Sequence, residues 1–411
     1  MNQIEIMSPA GSFASLNAAI KAGTNAVYFG IENLNMRARS ANNFKTSDLT
    51  KIVAICNKKN VKTYLTVNTV LYDEDLVLMR KICDIAKKAG VSAIIASDVS
   101  ALQYAKSIEL EIHISTQQNI SNIEAVRFFA KFADVIVLAR ELNLEQIKKI
   151  IQQIKTENII GPHGNLVRIE LFAHGALCVA ISGKCHMSLT TQNASANRGA
   201  CRQNCRRTYR VIDEENGKEL VLDNKYIMSP KDLCTIGFLD QLLDAGVSVL
   251  KLEGRGRSPE YVYVVTKCYR EAVEAIKNNT YTQEKIADWI KQLENVYNRG
   301  FWQGGYYLGN PLGEWSGKYG SQTTKQNDYI GHVTNFFRKA MVGEFLLESG
   351  EIKIGEEILI TGDTTGVVKL VIEEIFVDEK PTTCAKKGDV ITIKIPERLR
   401  HNDKLFVVRD R

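Results

Sequence analysis

The chain has 411 residues, 45% hydrophobic and 24% charged, with 53 Lys+Arg against 47 Asp+Glu. That length suggests two or three domains, and the apolar content is enough for sizeable cores, which argues against a largely disordered chain. No stretch nears the roughly 18 continuous apolar residues of a membrane span, and the opening MNQIEIMSPAG lacks the basic and apolar regions of a signal peptide; a cytoplasmic protein with no membrane partner is expected.

In chain order, eight short apolar segments come first, each bounded by turn or polar residues: IEIMSP (4–9), NAVYFG (25–30), KTYLTVN (62–68), SAIIAS (92–97), LEIHIST (110–116), ADVIVLA (133–139), VRIELFAHG (167–175) and SVLKLEG (248–254). Such near-continuous apolar runs suit strands buried on both faces. Between them lie helically periodic segments, SFASLNAAIKAG, TSDLTKIVAICNKKN, DEDLVLMRKICDIAKKAG, DVSALQYAKS, NIEAVRFFAKF and NLEQIKKIIQQI. Several open on Ser, Asp or Asn and stop at Gly or Asn, as capped helices do. Strict alternation of this kind predicts a parallel sheet with crossover helices, and eight strands favour a TIM-like (β/α)8 barrel over an open doubly wound sheet.

The rhythm breaks after the seventh strand, where a cysteine-bearing insertion (174–246) precedes the eighth. In a barrel, loops that follow strands lie on the catalytic face. The barrel domain is expected over 1–280, with the helix SPEYVYVVTKCYREAVEAIKNN near its end. A helical and aromatic/Gly-rich connector follows at 281–327. From 328 to 411 the text turns to short alternating strands, which predicts a small antiparallel β-barrel.

Cys178, Cys185, Cys201 and Cys205 have the form C-x6-C-x15-C-x3-C. Nine cysteines in a reducing compartment fit a disulfide framework poorly, so this cluster points to metal or redox use. Zinc sites usually take two tight pairs, and only the second pair here qualifies. Four unevenly spaced thiolates suit an iron–sulfur cluster better. The segment from Leu171 to Ile212 has no acidic residue but holds Lys184, Arg198, Arg202, Arg206, Arg207 and Arg210, which would offset a negative cluster. Cys56, Cys83 and Cys268 sit in helix-like segments and read as core, and Cys384 belongs to the β module. Cys234 is ambiguous: it could replace one of the four ligands, yet its position fits a helix face packed on the barrel.

At the predicted C-terminal ends of strands stand His113, Gln117, Glu170, His174, Lys251, Glu253 and Arg255, candidates for orienting substrate or moving protons. Hydrolysis needs an activated nucleophile or metal-bound water. Neither a nucleophile elbow nor a paired-His metal motif stands out among the six histidines; a Cys178/His174 pair keeps a peptidase as the alternative.

SPAG, NAVYFG with NMRARS, HISTQQN, ELFAHGALCVAISGKC, NRGACRQNCR, KLEGRGRSPEYV and YNRGFWQGGYYLG together resemble the collagenase-like peptidase family U32, over nearly the whole chain. The cysteine block is the most specific piece. Within that family the chain is most similar to the subgroup that hydroxylates transfer RNA, and its C-terminal module to the barrels of translation factors. The resemblance implies an oxygen-independent hydroxylase forming 5-hydroxyuridine at wobble position 34. It implies a 4Fe–4S cluster on Cys178, Cys185, Cys201 and Cys205, prephenate as co-substrate, an unnamed electron donor and room for a paralogous partner subunit; an rRNA hydroxylase is a further alternative. On this reading Arg202, Arg206 and Arg207 would grip RNA phosphates, and Trp302, with Tyr306 and Tyr307, would stack on a base.

Overall fold

The computed structural model describes residues 4–39, 42–210, 212, 214–217, 226, 228–309 and 314–411. Parts of the predicted insertion and of the connector, including 218–225 and 310–313, lie outside the described residues.

The first half alternates β1 (Glu5–Pro9), α1 (Phe13–Lys21), β2 (Ala26–Phe29), α2 (Leu49–Asn57), β3 (Lys62–Val67), α3 (Leu76–Ala89), β4 (Ala93–Ala96), α4 (Val99–Ser107), β5 (Ile112–Ile114), α5 (Ile123–Phe129), β6 (Val135–Val137), α6 (Leu144–Thr156) and β7 (Arg168–Gly175). The insertion contributes α7 (Met187–Gln192), β8 (Asp232–Cys234) and α8 (Leu239–Asp244) before β9 (Val249–Leu252) and α9 (Pro259–Lys277). All eight predicted barrel strands form, as β1 to β7 and β9. Closure comes from β9, which pairs in parallel with β7 on one side and β1 on the other.

The helices start where the sequence puts caps. The side chains of Ser12, Asp98, Asn122, Asn143 and Ser258 each accept a backbone N–H in the first turn of α1, α4, α5, α6 and α9, satisfying donors the helix leaves open. Gly90, left-handed at φ 78°, ends α3. The helices cover the barrel's outer face, burying one continuous apolar core against the strands. A second, smaller cluster of Met7, Tyr28, Tyr64, Ile95, Val135 and Val249 fills the barrel interior.

β8 is the main departure from the expected insertion. Its residues run antiparallel to the end of β7, with His174 opposite Cys234, and carry β10 (Phe301–Gln303) in parallel on their other edge. Cys234 therefore lies buried on a strand, 1% exposed, and not on a helix face.

After α10 (Gln283–Glu294) and β10, the chain builds β11 (Lys325–Phe337), β12 (Val342–Leu347), β13 (Glu351–Lys353), β14 (Glu357–Gly362), β15 (Gly366–Val371), β16 (Ile375–Val377), β17 (Lys380–Thr382), β18 (Cys384–Lys386), β19 (Val390–Lys394) and β20 (Lys404–Asp410). Eight of these form one antiparallel sheet in the order β15-β14-β20-β11-β12-β19-β16-β17, and β13 pairs with β18. It has its own core. Among the described residues no ladder joins the end strands β15 and β17, so the predicted barrel is an antiparallel sheet without full hydrogen-bonded closure. The module docks on α1 and α9. Gly366, at φ 70°, comes so close to α1 that a Cβ there would sit 2.9 Å from the Ala18 nitrogen; Lys21 Nζ donates to Val367 O at 2.6 Å, and Lys369 pairs with Glu260 at 2.7 Å. Among the described residues no helix is long and apolar enough to cross a membrane.

Candidate active site

The cysteine segment is strapped over the C-terminal mouth of the barrel by loops that follow several strands. Val70 N donates to Asn197 O at 3.2 Å, Arg39 N to Gly199 O at 3.1 Å, and Asn119 Nδ2 to Ser182 O at 2.9 Å. Within it, the buried Asn204 donates through Nδ2 to Met187 O at 3.2 Å and accepts from Gln192 Nε2 at 3.3 Å, while Arg202 N donates to Ser188 Oγ at 2.9 Å. These bonds tie the turn carrying Cys201 and Cys205 to α7, next to Cys185. Arg206 locks the other side: its guanidinium donates to Ser229 Oγ, Pro230 O and Leu177 O, the last beside Cys178.

All four cysteines line one mouth cavity of ≈ 160 Å³. Its floor and walls include Tyr28, Asn68, Ser115, Gln117, Arg140, Phe172, Lys251, Glu253 and Arg255, and no histidine is among its lining residues. Cys178 is exposed and the other three half-buried. Burial pushes the Cys205 thiol up to about 11, against the pull of Arg206 and with the push of the other three sulfurs. Burial likewise raises Cys185. Among the described residues no three Cys, His, Asp or Glu side chains converge tightly enough to hold a single metal ion. The four thiols are spread around the cavity instead.

A second cavity adjoins it, sharing Cys178, Cys201, Cys205, Arg37, Arg140 and Glu253 and adding Arg206, Arg257 and Arg299. Its cations outnumber its carboxylates. Arg299 pairs with Asp232 at 3.3 Å and Arg37 with Glu253 at 3.4 Å. Arg140 lies 4.0 Å over the Phe172 ring with its buried Nε unpartnered, and Arg257 lies 3.5 Å over Tyr297. Burial would raise the Glu253 carboxyl, but Arg37, Arg257 and Arg140 outweigh it and hold it below its ordinary value.

The candidate residues divide by depth. Gln117, Lys251, Glu253 and Arg255 line the mouth. Gln117 Oε1 accepts from Asn68 Nδ2 at 3.2 Å and from Ser115 Oγ. Arg255 is fixed by Thr66 Oγ1 at 3.0 Å and Asn35 Oδ1 at 2.9 Å; Gly30 leaves room for it, since a Cβ there would meet its guanidinium at 2.3 Å. His113 and Glu170 lie one layer deeper, fully buried, with Lys251 Nζ donating to Glu170 Oε1 at 2.7 Å.

His174 does not face the mouth. A register shift in β7 between Phe172 and His174 turns its ring outward, onto Tyr261, Tyr269 and Phe301. Burial there lowers its imidazole to about 3, and it does not share a cavity with Cys178, so the structure does not bring Cys178 and His174 together. Trp302 is 1% exposed, its ring packed edge-on to Tyr306 at 5.1 Å, and Tyr307 is buried with its hydroxyl donating to Phe172 O at 2.9 Å. Trp302 and Tyr307 are thus packing between elements, while Tyr306 is half-buried beside Trp302. Arg202 and Arg207 are exposed beside the cysteine turn, whereas Arg206 is spent on backbone carbonyls.

Sequence reasoning missed Arg37, Asn68, Ser115 and Arg140. Each follows a barrel strand at its C-terminal end, so the rule that found Gln117 and Glu253 would have found them had it been applied to every strand.

The chain matches the model of peptidase family U32 over residues 11–317. It is 58% identical over 406 residues to a collagenase of Porphyromonas gingivalis, covering 99% of this chain and 98% of that one. It is 30% identical to tRNA hydroxylation protein P1 of Bacillus subtilis, over 81% of this chain and 77% of that protein. A 23S rRNA 5-hydroxycytidine synthase of Escherichia coli is 36% identical over 67% of this chain, which spans 40% of that protein. With the match covering the barrel from α1 onward and the whole cysteine-strapped mouth, the chain belongs to peptidase family U32.

Proposed function

We propose that this protein is an oxygen-independent tRNA hydroxylase that forms 5-hydroxyuridine at wobble position 34, with a 4Fe–4S cluster on Cys178, Cys185, Cys201 and Cys205 and prephenate as co-substrate. The observation that carries this reading is the ring of four thiols around a single cavity at the barrel mouth. Their donor chemistry suits the cluster: four soft thiol ligands lining one cavity, beside Arg37, whose guanidinium feels Cys201 and Cys178, and Arg206, beside Cys205. When bound, the cluster supplies electron transfer at the mouth.

The chain's own residues supply the rest. An unstacked uracil needs a pocket with apolar walls and a few fixed polar groups. Phe172, Met36 and Tyr28 give the walls, and Asn68, Gln117 and Arg255 the oriented polar groups. Arg140 and Arg257, short of carboxylate partners, suit the two carboxylates of prephenate. Arg202 and Arg207 remain for RNA phosphates. Lys251 Nζ, donating to Glu170 Oε1 at 2.7 Å, stands at the cavity floor.

A peptidase is the second reading, favoured by the name of the 58% identical relative. Hydrolysis needs a base beside a nucleophile, and no histidine lines the thiol cavity. Anaerobic incubation with wobble-unmodified tRNA and prephenate, followed by nucleoside mass spectrometry, tests the proposal. Prephenate-dependent 5-hydroxyuridine is expected. Collagen cleavage with no RNA product would favour the peptidase.

A further inference from the structure

The interior of a (β/α)8 barrel is ordinarily filled by layers of branched apolar side chains. Here a file of ionisable groups runs through it. Glu111, just before β5, is 31% exposed and lines a cavity of ≈ 760 Å³ at the N-terminal face of the barrel, together with Lys62, Asp134, His163 and Arg168. Its Oε1 lies 3.6 Å from His113 Nε2. His113 Nδ1 lies 3.4 Å from Glu170 Oε2, and Lys251 Nζ donates to Glu170 Oε1 at 2.7 Å. Lys251 lines the mouth cavity at the other end. Four groups that can each take and release a proton thus step from one cavity to the other.

Burying such charges costs several kcal/mol per ion, and a network kept for stability alone has every donor and acceptor satisfied. This file is open at one joint. His113 Nε2 is buried without a hydrogen-bond partner and faces Glu111. The nearby Glu5 differs: it accepts from Tyr64, Lys62 and Arg168 together.

We propose that Glu111, His113, Glu170 and Lys251 form a proton relay along the barrel axis, between the N-terminal cavity and the mouth. The proposal rests on the reading that the mouth is the reaction site. When Lys251 gives a proton to a group in the mouth, His113 takes a proton at Nε2 from Glu111 as its Nδ1 proton passes to Glu170, whose carboxyl turns and hands that proton to Lys251 Nζ. Glu111 is reprotonated from solvent in the N-terminal cavity it lines, and the His113 ring reorients to bring its protonated nitrogen back to Glu170. Each N–H or O–H bond broken is matched by one formed at the next acceptor, and no electron moves. Burial pulls the imidazole of His113 down, but Glu111 and Glu170 outweigh it and hold it above its ordinary value. The titratable and charged groups facing His113 are Glu111 beside it, Glu170 from β7, Tyr64 from β3 with ring centroids 4.3 Å apart, and Glu5 from β1.

The test is nitrogen-15 NMR of histidine-labelled full-length protein, with the His113 signal identified by its loss in His113→Gln, alongside the tRNA assay. Glu111→Gln removes a negative neighbour and should lower the His113 midpoint; Lys251→Met uncovers Glu170 and should raise it, each by about one pH unit or more. Midpoints that stay put in both variants overturn the relay, with or without turnover. Glu111→Gln should also cut kcat roughly tenfold or more, with an enlarged solvent isotope effect and an unchanged KM for tRNA. An unchanged kcat overturns the relay. Should Lys251→Met fail to fold, Glu111→Gln carries both readouts alone. Shifted midpoints in the variants, alongside a wild-type protein that hydroxylates no RNA, support the relay and sink the hydroxylase reading.

Discussion

The two ends of the barrel are built by the same strands and treat charge in opposite ways. At the N-terminal end Glu5 is surrounded by its partners: Tyr64 Oη donates to it at 2.6 Å, Arg168 Nη1 at 3.0 Å and Lys62 Nζ at 3.1 Å. At the mouth, Arg37, Arg140, Arg206, Arg257 and Arg299 converge on a cavity where, among the described residues, Glu253 is the one lining carboxylate. Arg37 pairs with Glu253, Arg299 with Asp232, and Arg206 is held by backbone carbonyls; a charge matched in this way serves folding, and the cations in excess of these pairs, Arg140 and Arg257, are poised for something that binds. The contrast separates residues that hold the barrel together from residues that wait for a ligand.

The largest effect should come from breaking the matched end. Glu5→Ala leaves Arg168 and Tyr64 without their partner inside the barrel and should destabilise the fold by about 3 kcal/mol or more, measured by urea unfolding. A change within experimental error would mean that this end is not a structural unit.

The same residue sets an acid limit. Burial would raise the Glu5 carboxyl, but Tyr64, Arg168 and Lys62 outweigh it and hold it at about 2, against an ordinary value of 4.5. A carboxylate depressed in the folded state contributes stability that is full above the unfolded value and is lost as pH falls from 4.5 toward 2. The contribution is about 3 kcal/mol, and Glu5→Gln should flatten the stability profile across that window.

At the mouth the pattern should reverse. Arg140→Met and Arg257→Met should leave unfolding free energies within about 1 kcal/mol while lowering prephenate-dependent turnover by roughly tenfold or more, the loss expected on removing a charged hydrogen bond. Equal damage to stability and turnover would erase the distinction between the two ends. The smallest effect belongs to the exposed Arg202 and Arg207: changing either to Ala should reduce the salt dependence of tRNA binding by about one phosphate contact, with no loss of stability.

Much of this was legible in the chain. The barrel strands announce themselves because they are buried on both faces, and capping residues mark the helix starts, so strand order and the mouth position of the cysteine insertion follow from pattern alone. Three features depend on geometry that periodicity does not carry. The register shift in β7 turns His174 out of the barrel although strict alternation would point it in. Trp302 looks like a stacking platform among glycines, yet β10 buries it against β8. The C-terminal module reads as a barrel from its short strands, but ring closure is a property of end-strand pairing, which no local signal encodes. Glu111 fell outside the candidates for a related reason: a residue at the N-terminal end of a strand reads as structural, and only its line to His113 and Glu170 connects it to the mouth.

The most direct test of the central claim is iron, sulfide and zinc analysis of anaerobically purified protein, wild type beside Cys185→Ala and Cys201→Ala. The account predicts a brown protein with about four irons and four sulfides per chain, as a 4Fe–4S centre requires, lost in both variants. Stoichiometric zinc, or an iron content unchanged by removing either thiol, would contradict it.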